Sequence, residues 1–310
     1  MSDKVRCSVI IPSYNSEATI VNCLESVLNQ DLAEPFEVIV VDSSSDRTPA
    51  LVQQHFPMVH LIHREQRMGS GTARNLGVAI ARGDILAFTD SDCIVESDWL
   101  RRMCERHDQF PDCAAVGGPI VNGNPESLIS WAGYLAEFSE SLPHKFDREV
   151  NHIPTSNLSF KKYVFEQYGH FPGDGIVKGV DRLFNWRIRR KGEKILYACD
   201  IRVAHCHRIK LKDYLVHQFA IGRATVQILR RTDLPGNSVI GHQYLAVLLL
   251  PGFLLAKLTC TFYRLWRWHP RAYLDLFPAF PFLLVGLLWW LSGMAYQLRQ
   301  TEDQSRYCGR

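Results

Sequence analysis

Two carboxylates one residue apart, Asp90 and Asp92, close the run DILAFTDSDC at residues 84–93, directly after the apolar, β-rich stretch Ile85 to Phe88. A strand that stops at such a pair sets both side chains at its carboxyl end, where open α/β sheets place their ligands. Carboxylate oxygens are hard donors suited to Mg2+ or Mn2+, and such an ion is usually held by one or two carboxylates plus the phosphates of a substrate. The spacing therefore predicts a metal-diphosphate site at Asp90 and Asp92, with an Asx turn after a strand as the plainer alternative. Asp42 ends a second apolar run, FEVIVVD. There it can accept hydrogen bonds from a base or a ribose, or cap the polar turn Ser43 to Asp46.

The elements that must position these groups alternate along the chain. Residues 5–11 are a β-branched run stopped by Pro12, and Ser13 to Ser16 lead into a helix from about Glu17 to Gln30. FEVIVVD is followed by a helix near Thr48 to His55, a strand at Val59 to His63, and a helix opened by Gly69 to Gly71. That helix turns Leu76, Val78, Ala79 and Ile80 toward a sheet and carries Arg74 and Asn75 in its first turns. Strand and helix in steps of this size predict a parallel sheet of right-handed βαβ units. Further on, the sequence predicts a helix at Asp98 to His107, a strand at Ala114 to Gly117, and an irregular stretch bearing Trp131, Tyr134 and Phe138. Those rings suit a core more than the face of a sugar. TSNLSF reads as a strand carrying Ser156 and Asn157, an amphipathic helix starts at Asp181, and one more strand precedes VAHCHRIK.

Several classes are disfavoured. The chain has no G-x-x-x-x-G-K-[ST], and its first strand is followed by P-S-Y-N in place of G-x-G-x-x-G, which argues against P-loop kinases and dinucleotide dehydrogenases. A net charge of +3 gives no reason to expect nucleic acid. Nine cysteines without a C-x-x-C pair suggest reduced thiols, and a zinc site from the neighbours His205, Cys206 and His207 is disfavoured because they cannot all face one tetrahedral ion. The start, MSDKVRCSVIIP, enters a strand without an apolar h-region, so no secretory signal is expected.

Three motifs together, SVIIPSYNSEATIVNCLESVLNQ, EVIVVDSSSDRT and GSGTARNLGVAIARGDILAFTDSDCIVESDWL, resemble the family 2 inverting glycosyltransferases of the GT-A fold. The likeness continues through TSNLSFKKYVFEQYGHF and DRLFNWRIRRKGEKI and spans roughly residues 5 to 225. It implies a Rossmann-like α/β domain, a nucleotide-diphosphate-sugar donor with UDP favoured, a divalent Mg2+ or Mn2+ at the D-x-D, and displacement at the anomeric carbon by an acceptor hydroxyl. By the same resemblance Pro12, Tyr14 and Asp42 line the base and ribose pocket, Arg74 lies near the nucleotide, and Asn157 is a polar contact beneath the donor sugar. His205 resembles the histidine that follows the last core strand and completes the metal's coordination, with His207 as its competitor. The family generally carries Glu-Asp at the start of the last core helix, where this chain has Val180-Asp181. Asp181 is then the general base by resemblance, and a helix cap on the bland reading. A catalytically silent GT-A scaffold and a nucleotidyltransferase are the alternatives; the intact Asp90, Asp92 and Asp181 speak against the first, and PSYNSE is not the phosphate loop the second requires.

The expected organisation is a catalytic domain at 1–211, an amphipathic interfacial helix and linker at 212–242, two membrane helices at 243–297 and a polar tail at 298–310. Tyr244 to Phe262 and Leu276 to Tyr296 each have about the length of a bilayer span, and Trp266, Trp268, Trp289 and Trp290 suit the interface. A hairpin would carry Arg264, Arg267 and Arg271 away from a cytoplasmic catalytic domain, against the positive-inside tendency, and helices lying in the interface would remove that conflict. Gln218 to Arg223 lacks the Trp of the processive Q-x-x-R-W signature. The expectation is therefore a cell-membrane enzyme, catalytic domain on the cytoplasmic side, adding one sugar per encounter to a lipid-linked or membrane-proximal acceptor.

Overall fold

An eight-stranded sheet forms the centre of the computed structural model, which describes residues 4–300 apart from 174, 177 and 269–275. Its strands are β1 (Cys7–Ser13), β2 (Phe36–Asp42), β3 (His60–His63), β4 (Ile85–Phe88), β6 (Cys113–Gly117), β8 (Arg148–Val150), β9 (Leu158–Lys161) and β10 (Lys194–Tyr197), in the order β3-β2-β1-β4-β9-β6-β10-β8. A small second sheet, β5 (Cys93–Val95), β11 (Val203–His205) and β7 (Ile120–Asn122), lies β5-β11-β7. β1 to β4 pair in parallel, as the alternation of strands and helices predicts. The sheet as a whole is mixed, however, because β9 runs antiparallel to both β4 and β6, and β8 antiparallel to β10. The reason is local. Gly118 N–H donates to the Asn157 carbonyl at 3.3 Å, so the excursion between them starts and finishes at the carboxyl end of β6, and the chain enters β9 from that end.

The apolar runs are buried on both faces, as a sheet covered on two sides requires. Val9, Ile11, Val38 and Val40 pack with α1 (Ile20–Leu28), α2 (Thr48–His55) and α4 (Trp99–Gln109). Ile10, Ile39, Val41 and Phe88 pack on the other face with α3 (Ser70–Ile80), α6 (Tyr163–Tyr168) and α7 (Val180–Arg190). α5 (Leu128–Phe138) belongs to a third cluster, and its Tyr134 and Phe138 are core residues, as expected.

The C-terminal part departs from the expected pair of spans. The amphipathic helix forms as α8 (Leu211–Arg231), followed by the short α9 (Asn237–Ile240). The first apolar segment is broken into α10 (Gln243–Leu248) and α11 (Leu250–Trp268), with Pro251 in the first turn of α11, where its missing N–H costs nothing to the new helix but cannot continue the old one. The second segment gives α12 (Phe280–Arg299) after a single 3-10 turn at Phe277–Ala279. Phe277–Arg299 is the one helix among the described residues that is long and apolar enough to cross a bilayer by length and composition. It lies along α8. Gly222 and Gly293 make the approach close: a Cβ on Gly222 would sit 1.9 Å from the Trp290 carbonyl oxygen, and one on Gly293 2.1 Å from that of Phe219. Leu283, Leu287, Trp290, Met294 and Leu298 are buried in this contact and against α5, while Val285, Leu288, Trp289 and Tyr296 stay exposed. Arg264 points back to the catalytic domain, its Nη2 3.1 Å from Glu140 Oε1; Arg271 lies outside the described residues.

Candidate active site

The carboxyl edge of β4 and the small sheet build one cluster. The register pairs Cys93 of β5 with His205 of β11, and Cys206 N–H donates to the Asp92 carbonyl at 2.8 Å, so the D-x-D turn is stitched to the end of β11. Donor atoms of Asp90, Asp92, Cys93 and His205 then all lie within 4.8 Å of one another. The turn is held from behind by a 2.7 Å contact between the Ser16 and Ser91 hydroxyls and by the Cys23 thiol, which donates to the Asp90 carbonyl at 3.4 Å. The two carboxylates are open to solvent, 27% and 32% exposed, whereas the His205 ring is buried, with Nε2 3.4 Å from Asp92 Oδ1. Its Nδ1 is buried without a hydrogen-bond partner among the described residues. Two accessible hard oxygens beside the Nε2 of a buried imidazole fit a divalent ion. Burial, with Asp92 and Asp90 adding to it, pushes the Cys93 thiol well above its usual range, so without an ion it is protonated.

Asp181, at the start of α7, lies within electrostatic reach of Arg74, the partner of Asp90. Gly179, at φ +77°, takes the left-handed turn that starts this helix, a conformation glycine adopts without steric cost. Asp181 Oδ2 accepts from the Thr155 amide at 3.2 Å and Oδ1 from the Arg182 amide at 2.8 Å. The next residue of that turn, Ser156, gives its carbonyl to the Thr89 hydroxyl at 3.0 Å, directly before Asp90. Arg74 closes the circuit. It is buried, donates to Asp90 Oδ1 at 2.6 Å, leaves its Nε without a partner among the described residues, and its charge also acts on Asp181. Burial raises the Asp181 carboxyl, but His152, Arg74 and the two amides outweigh it and hold the group below the ordinary carboxylate range. Asp181 is ionised at neutral pH. Burial and Arg182 in turn push His152 down to about 4, against the pull of Asp181 and Glu140, so this imidazole is neutral.

The other expected residues divide. Tyr14 is 41% exposed at the end of β1, with the Arg67 guanidinium 4.4 Å above its ring, next to the half-buried Pro12. Asp42 is fully buried beside them and accepts from Ser44 N at 3.0 Å and Ser44 Oγ at 2.5 Å, with His63 Nδ1 at 2.7 Å; the turn-capping alternative is thus realised. Asn157 requires correction. It precedes β9, in a 3-10 turn (Thr155–Asn157), and is fully buried. Its Nδ2 donates to the carbonyls of Pro119 and Ile201 at 2.9 and 2.8 Å, and its Oδ1 accepts from Trp99 Nε1 at 2.9 Å. The amide is fully occupied in clamping three segments together, which leaves nothing for a sugar. His207 stands outside the carboxylate cluster and packs edge-on against Tyr134 and Phe138.

Two residues escaped the sequence reading. Nothing local sets Cys93 apart until the β5–β11 register brings it to His205. Lys178 sits in the glycine-bearing loop before α7, and its ammonium is lowered by burial and by Arg208 while Glu137, Asp90 and Asp92 attract it. A lysine in GIVKGVD, three residues before the proposed base, was the available signal.

A mixed α/β sheet with its carboxylate cluster at the carboxyl edge of the central strands is the GT-A arrangement of nucleotide-sugar transferases. Solved structures agree. The mannosyltransferase PcManGT from Pyrobaculum calidifontis, in complex with GDP-Man and Mn2+, aligns with a TM-score of 0.64 at 19% identity over 97% of this chain and 89% of that one. S. aureus TarS 1-349 in complex with UDP-GlcNAc aligns with a TM-score of 0.55 at 19% identity over 96% and 93%. The chain belongs to glycosyl transferase family 2, whose model matches residues 8–169. Among curated relatives, glycosyltransferase AglE of Haloferax volcanii is 30% identical over 257 residues, 80% of this chain and 81% of its own length. The glucosyl-dolichyl phosphate glucuronosyltransferase of the same organism is 28% identical over 217 residues, 65% and 69% of the two chains.

Proposed function

We propose that the protein transfers one sugar, with inversion, from a nucleotide-diphosphate sugar to a hydroxyl of a lipid-linked acceptor at a membrane surface. The observation that carries this reading is that Arg74 bonds Asp90 and its charge also acts on Asp181, which supports a diphosphate end and a base end of one site. Asp90, Asp92 and His205 would hold Mg2+ or Mn2+, and the ion supplies charge neutralisation for the departing diphosphate when bound. Arg74 orients Asp90 and adds a fixed positive charge there. Tyr14, with Arg67 across its ring, would take a base at the end of β1, and Asp42, buried under the Ser44 turn, would support that edge from beneath. Asp181, ionised and held rigid by two amides, takes the proton of the acceptor hydroxyl as that oxygen attacks the anomeric carbon. A fixed geometry for donor and acceptor contributes the rest.

UDP-sugars are favoured by the family likeness. A lipid-linked acceptor is supported by the relative named as acting on a glucosyl-dolichyl phosphate and by the exposed apolar residues of the C-terminal helices. Because α12 is fastened along α8 by one face, its other face, with Leu288 and Trp289, together with Tyr244 and Leu248 of α10, is suited to lie in the interface of a cytoplasmic leaflet. The test is incubation of the purified protein with UDP- and GDP-sugars and vesicles carrying a polyprenyl-phosphate sugar, followed by NMR of the product. One donor should be consumed with a lipid product of inverted anomeric configuration. Retained configuration would reject the single-displacement role of Asp181, and no product from any donor would reject the acceptor class.

A further inference from the structure

We propose that Cys93 is a fourth, soft ligand of the Asp90, Asp92 and His205 cluster, which gives this site affinity for thiophilic divalent ions such as Zn2+ and Cd2+ in competition with Mg2+ or Mn2+. The inference rests on the metal-site reading above and extends it to a residue that neither the D-x-D motif nor the family match singles out.

Directly opposed residues of an antiparallel pair present their side chains on the same face, and the β5–β11 register opposes Cys93 to His205. The Cys93 side chain is fully buried, with Sγ 4.0 Å from Asp92 Oδ1. Zinc binds sulfur at about 2.3 Å and nitrogen or oxygen at about 2.0–2.2 Å, so the donors of one tetrahedral ion stand about 3.4–3.6 Å apart. The four donors here lie within 4.8 Å of one another, so side-chain rotations of about 1 Å would close them on an ion. The His205 ring is buried with its Nε2 3.4 Å from Asp92 Oδ1, so the imidazole nitrogen stands on the same cluster as the thiol. One sulfur, one nitrogen and two carboxylates make a borderline set, poor for Mg2+, which demands oxygen ligands in octahedral geometry, and good for zinc-like ions. On binding, the thiol gives its proton to solvent and a metal–sulfur bond forms, with no change of oxidation state. A tetrahedral ion closed by four protein ligands keeps no open position for a diphosphate, so zinc-like ions inhibit at this site.

The experiment is titration of Cd2+ into the reduced full-length protein, followed through the ultraviolet sulfur-to-cadmium charge-transfer absorbance. Wild type should show one equivalent of binding whose apparent affinity weakens as Mn2+ is added. Cys93→Ser should lose at least about 100-fold in Cd2+ affinity, above the 10- to 100-fold that loss of a supporting residue costs. Cys206→Ser, next to the site but outside the cluster, should retain the band. A band that persists in Cys93→Ser, or disappears in Cys206→Ser alone, overturns the assignment. Should Cys93→Ser fail to fold, a wild-type band insensitive to saturating Mn2+ overturns it equally. Calorimetry with Mn2+ and UDP separates the two levels: Mn2+ binding that survives in Cys93→Ser supports a soft ligand added to a hard site. Wild-type protein that binds Cd2+ but no Mn2+ would sink the metal-diphosphate reading and, with it, the competition proposed here.

Discussion

Replacing Asp181 by Asn exchanges a carboxylate for an amide of the same shape and removes the proton acceptor. A positioned general base contributes on the order of 10²- to 10⁴-fold. At about 1.4 kcal/mol per decade this is roughly 3–5 kcal/mol of barrier. The cost in stability is smaller. Asp181 accepts from the amides of Thr155 and Arg182, and Asn can satisfy one of them with its oxygen while its own NH2 opposes the other, a loss of about 1–3 kcal/mol. The Arg74–Asp90 pair stays in place, so donor binding should change by less than about threefold. The assay is steady-state turnover with the preferred nucleotide sugar and acceptor, beside calorimetric donor binding and a urea unfolding curve on the same preparation. The expected result is turnover reduced at least about 100-fold with donor affinity and folding retained. Turnover within about tenfold of wild type would refute the reasoning. The pH profile adds an internal check: because His152, Arg74 and the amides hold Asp181 below the ordinary carboxylate range of about 3.9, the base stays ionised down to acid pH. Loss of base catalysis centred near neutrality would assign that step to another group.

Further expectations concern the metal, the membrane face and acid stability. Chelator should abolish transfer, and Mn2+ or Mg2+ should restore it; chelator-resistant transfer would remove the ion from the scheme. Leu248→Glu with Trp289→Glu, two exposed positions on α10 and α12, should weaken binding to anionic vesicles by more than about tenfold, since burying each large apolar side chain is worth about 1.5–3 kcal/mol, while the melting temperature stays within a few degrees. Unchanged vesicle binding would place the membrane contact elsewhere. His107 is buried against the Ser159 hydroxyl at 2.9 Å, and burial, then Lys161 and Arg6, lower its imidazole to about 3. The unfolded chain takes up that proton below about 6.5 and the folded one does not, so this group costs about 1.4 kcal/mol of stability per pH unit as pH falls from there. The slope of unfolding free energy against pH between 6 and 4 should therefore be shallower by about that amount in His107→Gln, and an unchanged slope would contradict the assignment.

Much of the catalytic half was legible because its signals are local. The apolar runs ending at Asp42 and at Phe88 are strands, and the carboxylates that follow lie at their carboxyl ends. Strand-end position named Asp90 and Asp92, and the family resemblance added His205; the three lie in one cluster. What escaped depends on chain segments far apart in sequence. Asn157 was expected as a ligand by the family resemblance; only the fold brings Pro119, Ile201 and Trp99 around it. Cys93 received no role, because nothing local sets it apart until the register of β11 is known. In the C-terminal segment hydropathy reported composition and not partners. It could not see that Gly222 and Gly293 bring α12 close along α8, or that Arg264 turns back to Glu140.

The central claim is that Asp90 and Asp92 hold a divalent ion against a nucleotide diphosphate. Its most direct measurement is electron paramagnetic resonance of Mn2+ titrated with the protein in the presence of UDP or GDP, for wild type, Asp90→Asn and Asp92→Asn. With one of the two nucleotides, wild type should bind one Mn2+ per chain and more tightly than without it, and each variant should lose that binding by at least about tenfold, the smallest effect loss of even a supporting residue has. Equal Mn2+ binding in wild type and Asp92→Asn, or binding that neither nucleotide strengthens, would contradict the account.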